Sequence, residues 1–205
     1  MTQDAAKIRI LDAARRLFGQ KGYQSTSIAD LLKEAEVHSG SLYYAFPTKQ
    51  DVLLAVLQAY RDGIVPMLLD PAWAGVKDPL ERVFALLAAY RHALEVTECT
   101  YGCPIGSLAL ELHEPDPPVR CLLADNFDVW SSHVERCLSE ASEQLPAGTD
   151  LGRLASFVLT VMEGAVMQAR VYRELDQFDR SVGVLRDYFD RLIEDAKAEK
   201  REEVE

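Results

Sequence analysis

Residues 25–46, STSIADLLKEAEVHSGSLYYAF, decide how the rest of this chain is read. Ile28, Leu31, Leu32 and Ala35 recur at the three-to-four spacing that lines one face of a helix. Ser25, Thr26 and Ser27 stand just before that stripe. The hydroxyl oxygen of any of them can accept a bond from an orphan N–H of the first turn. Past Ala35 the periodicity lapses, with Val37 alone apolar. His38-Ser39-Gly40-Ser41 then opens a second short helix that carries Leu42 and Phe46 four residues apart. Two short helices joined by a tight turn make a helix-turn-helix.

The second helix has the chemistry of a DNA reader. A helix lying in the major groove turns its N-terminal residues toward base edges, so that end must be small and polar. Ser39, Gly40 and Ser41 allow close backbone approach and offer hydroxyls to bases or phosphates. His38 can do the same or cap the helix, and Tyr43 and Tyr44, one turn on, reach phosphates or a thymine methyl. Leu42 and Phe46 pin the helix to its own domain. On this stretch alone, a plain surface helix pair with a Ser/Gly linker competes with the DNA reading.

The flanks separate the two. Ile10-Leu11-Asp12-Ala13-Ala14-Arg15-Arg16-Leu17-Phe18, Lys21-Gly22-Tyr23, Thr26-Ser27-Ile28, Val37, Gly40, Leu42-Tyr43 and Phe46-Pro47-Thr48-Lys49 follow one another in register without gaps. This segment, about a quarter of the chain, resembles the DNA-binding domain of the TetR family of transcriptional regulators. The resemblance implies an all-α fold: a three-helix helix-turn-helix head over residues 1–47 and a larger helical effector-binding and dimerisation domain over residues 48–205, about nine helices in all. It also implies DNA contacts from Thr26, Ser27, His38, Ser39, Gly40, Ser41, Tyr43, Tyr44 and Lys49, the last touching a phosphate. Glu36 departs from the pattern, standing where the family usually has the turn glycine. A non-glycine residue there at positive φ costs about 1 kcal/mol.

Charge fits this division. The net charge of −11 is unevenly placed: residues 1–50 carry seven basic and five acidic side chains, residues 51–205 fifteen and twenty-eight. A slightly basic head on an acidic body suits a DNA reader whose affinity comes from a few placed phosphate contacts and from pairing of two chains. The N-terminus has no apolar segment of a secretory signal, and no apolar run approaches the ~20 residues of a membrane span, so a cytoplasmic protein without membrane contact is expected. Cys99, Cys103, Cys121 and Cys137 then read as reduced thiols. No zinc-ligand spacing accompanies Cys99 and Cys103, so neither metal nor cofactor is expected.

Along the chain, Lys7 to Gln20 reads as the first helix, closed by Gly22 as a left-handed cap. Thr48 and Asp51 form a capping box for a connecting helix that ends near Gly63. Residues 65–77, with Pro66, Pro71 and Gly75, read as a loop. Asp78-Pro79 starts the next helix, and Pro104, the Pro115–Pro118 cluster, Pro146-Gly148 and Asp150 punctuate the remainder, with the last helix starting near Asp179 and fraying after Lys197.

The helix at residues 150–172 is apolar around most of its girth and rich in small residues, which suits burial on several sides. An internal core helix and half of a four-helix dimer interface both answer to that pattern. The resemblance favours the interface, with Phe157, Val161, Ala165, Leu185, Tyr188 and Phe189 as contact residues. A twofold dimer sets two reading helices about one DNA turn apart and calls for a near-palindromic operator. The resemblance also implies a small effector bound in the body. Tyr90, Cys103, Glu111, Phe127, Trp130, Met162, Glu163 and Met167 are the candidate lining residues, with His133 and Arg170 as further polar handles.

No Glu-x-x-His pair, nucleophile elbow or phosphate loop occurs, so no enzyme is expected. Two alternatives stay open: a repressor that senses oxidants or electrophiles through Cys103, and a helical adaptor or enzyme that does not bind DNA.

Overall fold

The computed structural model describes residues 3–202, and every α-helix or strand-type element among them is helical. The helices are α1 (Gln3–Lys21), α2 (Ile28–Ala35), α3 (Ser39–Ala45), α4 (Lys49–Ile64), α5 (Asp70–Trp73), α6 (Pro79–Val96), α7 (Pro104–Glu111), α8 (Pro117–Glu140), α9 (Leu151–Tyr172) and α10 (Asp176–Glu202). Two compact units result: Met1–Gly63 with Tyr101–Asn126, and Ile64–Thr100 with Phe127–Glu205.

In the first unit, Ile10, Ala13, Ala14 and Phe18 turn one face of α1 onto α2 and α3. Leu31 and Leu42 are fully buried there and Phe46 nearly so, each truncation to Ala costing about 2–5 kcal/mol by lost contact and residual cavity. Gly22, at φ +85°, ends α1, and its N–H reaches the Phe18 carbonyl at 3.1 Å. Val52, Leu53, Val56 and Leu57 bury the inner face of α4. Asn126, itself buried, ties α8 to that helix: its Nδ2 donates to the carbonyls of Leu57 at 3.1 Å and Leu122 at 2.7 Å.

In the second unit, α6 starts as its sequence dictates, with the Asp78 carboxylate accepting from the amides of Leu80 (2.8 Å) and Glu81 (3.1 Å) ahead of Pro79. α9 and α10, joined only by residues 173–175, pack on each other and on α6. Phe178, Phe189, Leu86, Leu87, Val134, Leu138 and Met162 are among the side chains that meet in one core. Phe189 meets Phe84 edge-on with ring centroids 5.4 Å apart.

Three expectations need correction. Residues 65–77 are not simply a loop: Val65–Leu69 forms a π-helical turn that leads into α5. Pro66 and Pro71 lack the N–H an α-helix would use, and widening the turn, with the Asp70 N–H on the Val65 carbonyl, accommodates the rings. Burial of Leu69 and packing of Leu68 and Trp73 against the core hold the segment helical. The last helix starts at Asp176 and persists through Glu202, so the expected fraying from Lys197 is absent up to that point; residues 203–205 lie outside the described residues. Two stretches, Lys49–Trp73 and Leu151–Tyr172, are long and apolar enough to cross a membrane by length and composition. Charged residues such as Arg61, Asp62, Glu163 and Arg170 interrupt them, so counting uninterrupted apolar runs missed both.

Candidate nucleic-acid interface

The helix pair α2–α3 is built by local chemistry. Ser27 caps α2 reciprocally with Asp30: the Asp30 amide donates to Ser27 Oγ at 3.1 Å, and the Ser27 amide donates to Asp30 Oδ2 at 2.8 Å. Lys21 adds an ion pair to the same carboxylate at 2.8 Å. Hydrogen bonding from Lys21 first, and from Ser27 second, holds the Asp30 carboxyl well below the usual carboxylate range.

Glu36 ends α2 in the left-handed region, at φ 49° and ψ 49°, as its position in the turn requires. The amide of Glu36 reaches the Lys33 carbonyl and that of Val37 the Leu32 carbonyl, the paired bonds of a Schellman turn normally closed by glycine. The Glu36 carboxylate answers the strain partly by pairing with Arg9 at 2.7 Å.

α3 then presents two unlike faces. Leu42 is fully buried and Phe46 nearly so, while His38, Ser39, Gly40, Tyr43 and Tyr44 are exposed, Tyr44 to 72%. Ser41 is half-buried. A Cβ added at Gly40 would meet nothing within 4 Å, so the surface there is open to a close-approaching partner. His38 occupies the N-cap position but makes no side-chain cap bond, leaving its ring outside the helix-start bonding.

Two expected contact residues have commitments of their own. Thr26 is fully buried, with Oγ1 donating to the Gly22 carbonyl at 2.7 Å, so its hydroxyl holds the α1–α2 turn and is not offered to a ligand. Lys49, in the first turn of α4, is half-buried: Nζ lies 4.2 Å from the Tyr23 ring centroid and donates to the Gln24 carbonyl at 3.4 Å. Burial lowers its pKa, and the Glu111 carboxylate opposes that shift. The Thr48–Asp51 capping box that starts α4 is formed as expected.

Glu111, expected as an effector handle, is spent elsewhere. Its carboxylate accepts the amides of Tyr23 at 2.9 Å and Gln24 at 2.7 Å, clamping the end of α7 to the α1–α2 turn. A Cβ on Gly22 would stand 2.8 Å from that carboxylate. No local signal could have found this pairing of residues so far apart in the chain.

The other expected effector residues are not gathered together. Cys103, at the N-cap of α7, lies buried in the first unit with Glu111, and the remainder belong to the second. Trp130 and Met162 are core residues, and Trp130 Nε1 donates to the Tyr90 hydroxyl at 3.1 Å. Phe127 and Glu163 are half-buried, and Met167 is exposed. His133 meets Trp73 edge-on, and burial lowers its pKa.

The expected dimer residues divide likewise. Ala165, Leu185 and Phe189 are buried in the protomer's own core, because α9 and α10 use those faces against each other. Phe157 and Tyr188 are exposed, with ring centroids 6.0 Å apart, and Val161 is half-buried beside them. Val184, Val171 and Tyr172 extend the exposed apolar surface, and helical spacing from Phe157 and Tyr188 could have suggested the first two.

Known proteins place this arrangement. Residues 10–56 match the model of bacterial regulatory proteins of the tetR family, and residues 79–185 that of the tetracyclin repressor-like C-terminal domain. The HTH-type transcriptional regulator Rv0196 of Mycobacterium tuberculosis is 30% identical over 177 residues, covering 83% of this chain and 87% of that one. The HTH-type transcriptional repressor DhaR of Mycobacterium sp. (strain GP1) is 24% identical over 187 residues, covering 90% and 92%. Among solved structures, the regulatory protein TetR from Rhodobacter sphaeroides matches with a TM-score of 0.80 at 26% identity, over 91% of this chain and 97% of that one. E. coli NemR in its reduced form shares the fold, with a TM-score of 0.76 at 20% identity over 91% and 96%. With its capped helix pair near the N-terminus and a helical C-terminal part that matches along most of its length, this chain belongs to the TetR family of DNA-binding transcriptional regulators.

Proposed function

We propose that the protein is a repressor that grips a near-palindromic operator as a homodimer in the cytoplasm and lets go when a small effector binds. The division of labour follows the chain, with residues 1–47 reading DNA and residues 48–205 pairing the protomers and sensing the effector. The observation that carries the reading is the outward face of α3. His38, Ser39, Gly40, Tyr43 and Tyr44 stand exposed on a helix whose Leu42 and Phe46 are locked into the head. Polar groups at the start of such a helix meet base edges, and the tyrosines meet the backbone.

Pairing is supported by the apolar surface of α9 and α10. Phe157, Val161, Val184 and Tyr188 share it, and Gly164 adds a point where a Cβ would meet nothing within 4 Å. Such a surface is covered by an identical one across a twofold axis, which is how helical dimers close. A dimer on a promoter blocks polymerase without further contacts. An effector that prefers the protomer geometry less suited to DNA weakens operator binding, and DNA weakens effector binding by the same factor.

The test is selection of genomic fragments by the purified protein, followed by mobility-shift titrations on the selected operator. Tyr43→Ala and Lys49→Ala should each weaken binding, and the affinity should fall steeply with salt. If no fragment is retained at any salt concentration, the adaptor alternative takes over.

A further inference from the structure

Within the first unit, α1, α4 and the start of α7 surround a cavity of about 170 Å3. Phe18, Tyr60, Tyr101 and Leu108 supply most of its walls, Ser107 a hydroxyl, and Arg15 the one side chain that is charged at neutral pH. We propose that this cavity binds a small carboxylate with a single ring or a short acyl chain, and that α7 passes its occupancy to the DNA-reading helices.

Size and charge select the ligand. A cavity of about 150 Å3 accommodates benzene, whereas pockets for drug-sized molecules begin near 300 Å3. One ring therefore fits and two do not. A guanidinium stays protonated throughout the physiological range, so an anion is the complement. The Arg15 guanidinium lies over the Tyr60 ring, 5.0 Å from its centroid. A stacked guanidinium keeps its N–H groups in its own plane, the arrangement that forks a carboxylate. Burial raises the Tyr60 pKa, so its hydroxyl stays neutral and adds no competing negative charge. Tyr101 forms another wall because residue 19 is glycine: a Cβ there would stand 3.3 Å from the tyrosine ring.

The route to DNA runs along one short helix. Ser107 and Leu108 of α7 line the cavity, and Glu111, one turn further, holds the amides of Tyr23 and Gln24 between α1 and α2. A ligand wedged between α1 and α7 therefore bears on both ends of that clamp. This coupling rests on the reading of α2–α3 as the DNA-binding pair; binding to the cavity does not.

Equilibrium dialysis with benzoate, and with benzamide as its neutral match, tests the site on the full chain. Benzoate should bind once per chain and benzamide at least about tenfold more weakly, the loss expected when a charged hydrogen-bonded partner is removed. Arg15→Gln should erase that preference, and Ser107→Leu, which fills the cavity, should abolish binding of both while leaving the circular dichroism unchanged. Should Arg15→Gln fail to fold, Ser107→Leu decides alone. No benzoate binding, or binding unaffected by either substitution, overturns the site. Benzoate should also shift operator affinity at least about threefold in the wild type and not in Ser107→Leu; no shift overturns the coupling. A protein that binds benzoate but retains no operator keeps the cavity and refutes the DNA reading instead.

Discussion

The Glu111 carboxylate accepts the backbone amide of Gln24 at 2.7 Å across 87 residues of sequence, and the adjoining Tyr23 amide at 2.9 Å. One side chain from α7 thus satisfies two consecutive N–H groups in the turn that precedes the DNA-reading pair. The turn is shaped to receive it, with Gly22 at φ +85° and no room for a Cβ beside the carboxylate.

Glu111→Ala should lower stability by about 1–2 kcal/mol, since the amides revert to water or go unpaired. Gly22→Ala should cost at least as much, through both the left-handed backbone and the crowded carboxylate. Urea denaturation midpoints at constant slope measure both; a neutral Glu111→Ala would show that the clamp contributes nothing to folding.

Glu36→Gly should stabilise the head. Relief of the left-handed conformation is worth about 1 kcal/mol, and the exposed pair with Arg9 that it sacrifices only about 0–1 kcal/mol. Glu36→Gln removes the pair alone and should destabilise by a few tenths of a kcal/mol. A thermal scan of the three proteins separates the two effects, and a lower melting temperature for the glycine variant would refute the strain.

Acid should loosen the head through Asp30. Its folded carboxyl titrates below the ordinary value near 3.9, so its contribution to stability is fully present above about pH 4 and is lost as pH falls further. The urea midpoint of the wild type should therefore approach that of Asp30→Asn below about pH 4. Parallel curves down to the lowest pH would contradict this.

Substitutions in α3 should separate folding from recognition. Gly40→Ala adds a methyl group into open space on an exposed helix and should raise stability by about 0.5–1 kcal/mol while weakening operator binding. Leu42→Ala, fully buried, should instead cost about 2–5 kcal/mol. Operator binding unchanged in Gly40→Ala would remove the groove-facing assignment.

Tyr188→Asp should convert the dimer to a monomer with unaltered helicity, because the ring is exposed in the protomer and its charge would have to be buried on pairing. Light scattering behind size exclusion reads the mass directly. A dimer that survives both Tyr188→Asp and Phe157→Asp would place the interface elsewhere.

Local signals made much of this molecule legible from residue order. Ser27 with Asp30, Thr48 with Asp51, Asp78 with Pro79, and Asp150 each announced a helix start, and Gly22 announced a helix end; the structure has them all. Glu36 could be placed at positive φ because the turn between α2 and α3 allows nothing else. Burial was less legible. Thr26 and Ser27 are neighbours of like chemistry, yet one hydroxyl is sealed inside the α1–α2 turn and the other caps a helix at the surface. Ala165, Leu185 and Phe189 read as interface residues because periodicity identifies an apolar face and not the partner that covers it.

The sequence by itself determined an all-helical chain, with a capped helix pair near its N-terminus whose second helix is apolar on one side and small and polar on the other. Those properties follow from interactions within about four residues, where spacing and side-chain type decide the outcome. Only the tertiary structure decided that Glu111 locks the α1–α2 turn, that Pro66 and Pro71 sit within continuing helix, and that Arg15, Tyr60 and Tyr101 share a cavity. Each depends on side chains brought together from distant parts of the chain, and no local pattern encodes which of them will meet.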